Sequence, residues 1–126
     1  MTRGVLRRLA VALGWLMVAA IVALSLGPAP DTGLEVPYED KWGHLLAYGS
    51  LMGWFALLYR GWPARSGYLL GFLLLGIGLE LIQSQVAGRE GSAADVLANL
   101  TGLGLGLALS LPIGRRFPNW GWPSRP

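Results

Sequence analysis

The sequence contains no cysteine, one histidine and few charged residues. Without cysteine, the chain can form neither disulfide bonds nor thiolate metal sites, and it has no cysteine nucleophile. We also expect no zinc site, because such sites need several His or Cys ligands and His44 is the single imidazole. We predict no other bound metal and no cofactor. Charged residues make up 13% of the 126 residues, about half the fraction found in soluble domains, so a water-facing surface is not expected.

Apolar sequence is abundant instead, at 53% of the chain. It is concentrated in four segments, residues 9–27, 42–59, 66–87 and 93–113. As helices that rise about 1.5 Å per residue, these segments reach roughly 27–33 Å, which matches the hydrocarbon core of a bilayer. Transmembrane strands would need only about ten residues and would alternate in polarity. The sequence therefore predicts an all-α fold in which residues 1–126 form one membrane domain, a four-helix transmembrane bundle, with residues 114–126 as a short basic tail rich in Trp and Pro.

The distribution of lysine and arginine predicts how the helices cross the membrane. If all four segments cross, eight arginines lie on one side and only Lys41 and Arg89 on the other. Cytoplasmic loops are enriched in these residues, so we expect both termini in the cytoplasm. The arginines form short clusters between apolar segments and not a continuous basic stripe, and we therefore expect no nucleic-acid partner. The eight are Arg3, Arg7, Arg8, Arg60, Arg65, Arg115, Arg116 and Arg125.

Three pairs of glycines are spaced four residues apart within the apolar segments. Small residues at this spacing let transmembrane helices approach closely, so we predict that these pairs pack against neighbouring helices. Glycine faces that remain uncovered would also allow the chain to associate with itself. These glycines are not expected to form phosphate-binding loops, because no Walker-type loop and no strand-linked GxGxxG pattern occurs. The pairs are Gly49 and Gly53, Gly67 and Gly71, and Gly102 and Gly106.

Polar and ionisable residues interrupt the apolar segments at one end of the predicted bundle. A charged side chain at the bilayer centre costs at least about 2.5–3.5 kcal/mol, so such residues usually face protein or a wet cavity. Asp40, His44 and Tyr48 are four residues apart and share one face of the second helix. The full set is Asp40, Lys41, His44 and Tyr48 in the second helix, Glu80 and Gln83 in the third, and Arg89, Asp95 and Asn99 before and within the fourth.

The depths of these residues predict a common pocket. The third and fourth helices form an antiparallel hairpin about Arg89, and Glu80 and Asn99 lie nine and ten residues from it on opposite arms. His44 and Tyr48 enter the second helix by about one and two turns, to comparable depths. Depth alone does not show how each helix is rotated about its axis, and so which side chains face one another. The expected members of this externally open pocket are His44, Glu80, Gln83, Asp95 and Asn99, with Lys41 and Arg89 at its rim.

Simpler roles are open for most of these residues. His44 could lie at the water boundary, and Asp95 could cap a helix. Gln83 and Asn99 could form interhelical hydrogen bonds. The remaining three, Asp40, Lys41 and Arg89, could be ordinary loop charges. Glu80 is the hardest to explain in this way, because it lies well inside an apolar segment. The joint occurrence of these residues at one face is therefore more informative than any one of them.

The order of these polar residues resembles the pattern of the VanZ-like family. The resemblance covers roughly residues 35–110. It implies a small multi-pass protein of the bacterial cytoplasmic membrane and an association with low-level resistance to the antibiotic teicoplanin, a glycopeptide. It implies no reaction. The matching residues are the Asp-Lys-x-x-His start of the second helix (Asp40, Lys41 and His44), Glu80-x-x-Gln83, and the following Arg89, Asp95 and Asn99 with Gly102 and Gly106.

Three functions are compatible with the sequence. In the first, the protein modulates the cell envelope, and its pocket binds an external lipid head group, a cell-wall intermediate or a glycopeptide. In the second, it is an intramembrane enzyme acting on a lipid-linked cell-wall intermediate, with His44 as general acid or base and Glu80 or Asp95 orienting it. In the third, the polar residues only lock the bundle together. No activated nucleophile is evident, so we expect binding to membrane lipids or an envelope component in preference to catalysis.

Overall fold

The computed structural model describes residues 2–26, 39–85 and 93–116, with side chains of the second segment described from residue 42 onward. These residues form four helices: α1 (Arg3–Leu26), α2 (Glu39–Leu58), α3 (Trp62–Gln83) and α4 (Ala93–Arg116). The predicted all-α fold with four helices is confirmed. Three of them, α1, α3 and α4, are long and apolar enough to cross a membrane.

The helices extend beyond several of the predicted boundaries. α1 begins at Arg3 and not at residue 9, and α4 continues to Arg116, past the predicted end at residue 113. Helical backbone geometry does not require apolar side chains, so a helix can continue where the apolar run has ended. Residues 114–116 of the predicted tail are thus helical, and 117–126 lie outside the described residues. α3 starts at Trp62 and not at residue 66, with Pro63 in its first turn, where a missing N–H costs nothing.

α2 is the central helix of the bundle. It packs against α1, α3 and, most extensively, α4. Leu51, Met52, Phe55 and Ala56 are fully buried within these contacts. The first turns of α2 carry Glu39, Asp40, Lys41 and His44, and these residues lower its mean hydropathy. For this reason α2 is not among the helices apolar enough to span a membrane by composition.

The backbones of α2 and α4 are in direct contact at glycines. A Cβ atom added to Gly49 would lie 3.1 Å from the carbonyl oxygen of Gly102, and one added to Gly53 would lie 3.4 Å from that of Gly106. From the other helix, a Cβ on Gly102 would meet the carbonyl oxygen of Leu45, and one on Gly106 would meet that of Gly49. Gly102 and Gly106 therefore have no room for a side chain.

The third predicted glycine pair does not pack within the chain. Gly67 and Gly71 are exposed, and an added Cβ on either would have no atom of another helix within 4 Å. The prediction that this pair packs against a neighbouring helix is therefore wrong for the single chain. These residues lie on the outer face of α3, and their spacing in the sequence does not show which face of the helix meets a neighbour.

An aromatic cluster around Phe55 joins α1, α2 and α3. Its ring centroid lies 4.8 Å from that of Tyr68, 5.1 Å from Phe72 and 5.4 Å from Trp15. α1 comes close here because Gly14 has no side chain; a Cβ at Gly14 would lie 2.9 Å from the ring of Phe55. Edge-on and tilted aromatic pairs stabilise a core beyond their area of burial.

The outer surface of the bundle is strongly apolar. Large apolar side chains remain exposed along all four helices, for example Leu16 at 64% and Leu81 at 66%. In the most apolar windows of α1, α3 and α4, only 11%, 28% and 28% of the residues are buried. Soluble proteins rarely expose continuous apolar surface of this kind, whereas lipid solvates it. The fold therefore indicates a membrane protein.

The glycine contact predicts a sharp difference between two neighbouring positions of α4. Gly106→Ala would force a methyl group against the backbone of Gly49, and we expect it to destabilise the bundle by about 1–3 kcal/mol. Gly104→Ala is the matched control, because an added Cβ there has nothing within 4 Å. Thermal unfolding in detergent, followed by circular dichroism, checks this. Equal melting temperatures for the two variants would contradict the close contact.

Candidate functional site

Buried polar side chains gather where α1 and α3 end and where α2 and α4 begin, which we call the polar end. Glu80 and Gln83 occupy the last turns of α3, and Asp95 and Asn99 the first two turns of α4. All four are buried, from 7% exposed for Glu80 to 1% for Asn99. Because buried polar groups are costly without partners, their contacts decide what this end can do.

A hydrogen bond between α2 and α4 lies at the centre of the site. Nδ1 of His44 is 2.9 Å from Oδ1 of Asn99. Since a side-chain carbonyl can only accept, Nδ1 carries the proton in this arrangement, and a neutral imidazole then keeps Nε2 as an acceptor. His44 is half-buried, whereas Asn99 is enclosed. Asn99 thus holds the ring of His44 in one orientation.

α3 reaches this pair at Gly76. An added Cβ there would lie 2.8 Å from Nδ2 of Asn99 and 3.4 Å from the hydroxyl oxygen of Tyr48. Tyr48, on the same face of α2 as His44 and one turn deeper, is 2% exposed. Gly76 therefore provides the space in which side chains from α2 and α4 meet α3.

The two buried carboxylates lie beside this contact. Glu80 follows Gly76 by one turn on the same face of α3. Asp95 precedes Asn99 by one turn on the same face of α4. Side chains of α2, α3 and α4 thus form one layer, which we call the polar cluster. Its members are His44, Tyr48, Glu80, Asp95 and Asn99.

Gln83 makes an interhelical hydrogen bond, which is one of the roles left open for it by the sequence. Its Nε2 donates to the backbone carbonyl of Ser25 over 2.8 Å, in the last turn of α1. The last carbonyls of a helix have no partner within the helix, so this bond satisfies one of them and ties α3 to α1. The structure thus places Gln83 at the polar end but directs its amide nitrogen to α1.

The predicted rim lies outside the described side chains. Asp40 and Lys41 are in the first turn of α2, with only their backbone described, and Arg89 lies outside the described residues. The expected opening of the pocket therefore stays a prediction. A groove of about 340 Å³ does lie between α2 and α4, but its walls are mainly glycine and apolar side chains, such as Gly49, Gly106 and Leu109, and no member of the polar cluster lines it.

Sequence reasoning missed Gly76 and the carbonyl of Ser25. Gly76 could have been noticed, because it lies four residues before Glu80 and so shares its face. The Ser25 carbonyl carries no signal in the sequence, because every residue has a backbone carbonyl. Which carbonyl accepts a bond depends on the conformation and not on the residue type. Within the described residues, no three His, Asp or Glu side chains are grouped to hold a metal ion. What the cluster does offer is two carboxylates, an imidazole and an amide for hydrogen bonding and proton exchange.

Comparisons with known proteins identify no relative. The chain matches no model of a known protein family, no curated protein and no solved structure. The resemblance to the VanZ-like family therefore rests on the motif residues alone.

The packing at Gly76 predicts how the polar cluster responds to one methyl group. Gly76→Ala would displace Asn99 and strain its bond to His44, and we expect a loss of about 1–2 kcal/mol of stability, typical of a disturbed buried hydrogen bond. Gly78→Ala adds the same methyl group to α3 where nothing lies within 4 Å. Thermal unfolding of both variants in detergent measures the difference. Equal stability of the two would contradict the described contact.

Proposed function

We propose that this chain is a VanZ-like membrane protein that modulates the bacterial cell envelope, including susceptibility to teicoplanin, by binding an envelope component at the polar cluster. The observation that carries the proposal is the burial of Glu80 and Asp95 beside the His44–Asn99 bond, at one end of a bundle with a lipid-facing exterior. Ionisable groups are expensive at such depth, and their usual role is to serve a ligand or a proton.

The proposal includes four membrane crossings with both termini in the cytoplasm. α1, α3 and α4 are long enough to span, and α2, with 20 residues, is about 30 Å long and runs between α1 and α3 in the chain. The arginine-rich end then lies in the cytoplasm, as the positive-inside rule requires. The polar end faces the exterior, where envelope components are found.

The chemistry of the cluster suggests what it binds. Carboxylates of Glu80 and Asp95 accept hydrogen bonds from amine, amide or hydroxyl groups, and charge-assisted bonds of this kind are the strong ones. We propose that Lys41 and Arg89 at the rim attract anionic groups of the same ligand. A lipid head group, a cell-wall intermediate and a glycopeptide each combine such donors with anionic groups.

A structural lock is the second candidate, and two contacts favour it. Asn99 is only 1% exposed, and Gln83 joins α3 to the end of α1. Polar side chains that bond across helices stabilise membrane bundles by roughly 0.6–2 kcal/mol each. On this reading, Glu80→Gln lowers the melting temperature in detergent and has no separate effect on the response to any ligand.

Antibiotic susceptibility of a sensitive Gram-positive host tests the proposal. We expect the wild-type protein to protect against teicoplanin and not against vancomycin, and we expect His44→Ala and Glu80→Gln to abolish this protection at equal membrane levels, checked by blotting. Ser84→Ala is the control, because it removes an exposed polar group near the same end of α3.

Two results would reject parts of the proposal. If a well-expressed wild type gives no protection, the role in resistance is wrong. If both cluster variants protect as well as wild type, the cluster is not the site. Loss of protection that follows only the loss of folded protein, measured by melting temperature and membrane level, favours the structural lock.

A further inference from the structure

Arginine and tyrosine side chains from three helices meet at the opposite end of the bundle, where α2 ends and α3 begins. We call this end the arginine end. The group is defined by Arg7 of α1, Tyr59 and Arg60 at the end of α2, and Arg65 and Tyr68 of α3. None of these residues belongs to the polar cluster, so the group calls for an explanation of its own.

The cations are held in place by carbonyl oxygens and aromatic rings. The Arg7 guanidinium lies 5.3 Å from the ring centroid of Tyr59, which stacks on Tyr68 at 5.1 Å. Arg60 donates to the carbonyl of Leu57 at 3.3 Å and, through Nη1, to that of Gly114 in α4 at 2.8 Å.

Arg65 is the most enclosed of the three. Its Nε and Nη2 donate to the carbonyl of Ala56 at 3.3 and 3.2 Å, and its guanidinium lies 5.2 Å from the ring of Trp62. Arg60 and Arg65 therefore bind the adjacent carbonyls of Leu57 and Ala56 at the end of α2. These contacts leave little freedom for either guanidinium group.

All seven Asp and Glu residues lie within residues 31–40 and 80–95 of the sequence, and among the described residues no Asp or Glu side chain belongs to the arginine end. Arg65 is 8% exposed, and its described partners are a neutral carbonyl and a neutral ring. A buried cation is costly unless an anion offsets it, and a second arginine beside it raises that cost. The arginine end is therefore suited to an anion supplied from outside the chain.

We propose that the arginine end binds the phosphate of an anionic phospholipid. Arginine donates charge-assisted hydrogen bonds to phosphate oxygens, and basic sites between transmembrane helices are known to hold anionic head groups. The surface next to Arg7 fits the acyl chains, because Val5, Leu6 and Leu9 on α1 are all exposed. This site is independent of the function proposed for the polar cluster.

The test measures binding of defined lipids to the purified full-length protein in neutral detergent, by native mass spectrometry and by thermal shift. We expect phosphatidylglycerol to bind and to raise the melting temperature more than phosphatidylcholine, whose head group carries no net charge. Arg7→Gln and Arg65→Gln should each weaken phosphatidylglycerol binding by about fivefold. Arg3→Gln is the matched control, because it removes the same charge from an exposed arginine near the same end.

Three outcomes would overturn the proposal. The first is equal binding of phosphatidylglycerol and phosphatidylcholine. The second is an equal loss of binding in Arg3→Gln, which would show a general effect of net charge. The third is an equal thermal shift with inorganic phosphate, which would identify a free anion as the ligand. Arg65→Lys guards against misfolding: it keeps the charge, and if it folds with wild-type helicity we expect binding between those of wild type and Arg65→Gln.

Discussion

The backbones of α2 and α4 touch at Gly49, Gly102 and Gly106, and the placement of the polar side chains depends on that contact. His44 lies just over one turn before Gly49, and Asn99 lies just under one turn before Gly102, so the crossing brings both to the same level. Their 2.9 Å hydrogen bond is therefore a consequence of glycine packing. A larger residue at the crossing would separate the helices and with them the two side chains.

The bundle reverses the usual arrangement of a soluble protein, and its two ends have opposite chemistry. Exposed leucines cover the outside, whereas Glu80, Asp95 and Arg65 are buried. Among the described side chains, the carboxylates lie at the polar end, and the other end is basic. Such an asymmetry suits a protein that meets different partners at the two faces of a membrane. The two proposed sites therefore offer a ligand different groups, carboxylates at the polar end and guanidinium groups at the arginine end.

The sequence was sufficient to predict features that depend on distance along the chain. Four apolar segments predicted four helices. Residue counts from Arg89 indicated that Glu80 and Asn99 would lie at similar depths, and the position of His44 in the second helix indicated a comparable depth. Features that depend on azimuth were not predictable, because these helices are apolar on most faces and their patterns do not show which face meets protein. For this reason Gly67 and Gly71 were assigned to packing although they face outward, while Gly14 and Gly76, which do make close contacts, were missed.

The central claim is that all four helices cross the membrane and present the polar cluster at the external face. Because the chain has no cysteine, single cysteines at exposed positions can be labelled in cells with a membrane-impermeant maleimide. We predict that Gln85→Cys, next to the polar end, is labelled in intact cells, and that Thr2→Cys, Ser66→Cys and Arg115→Cys are labelled only after permeabilisation. Labelling of Ser66→Cys and Thr2→Cys from opposite sides would contradict the account, because α2 would then not cross. Labelling of Ser66→Cys and Arg115→Cys, but not Gln85→Cys, in intact cells would place the polar cluster at the cytoplasmic face.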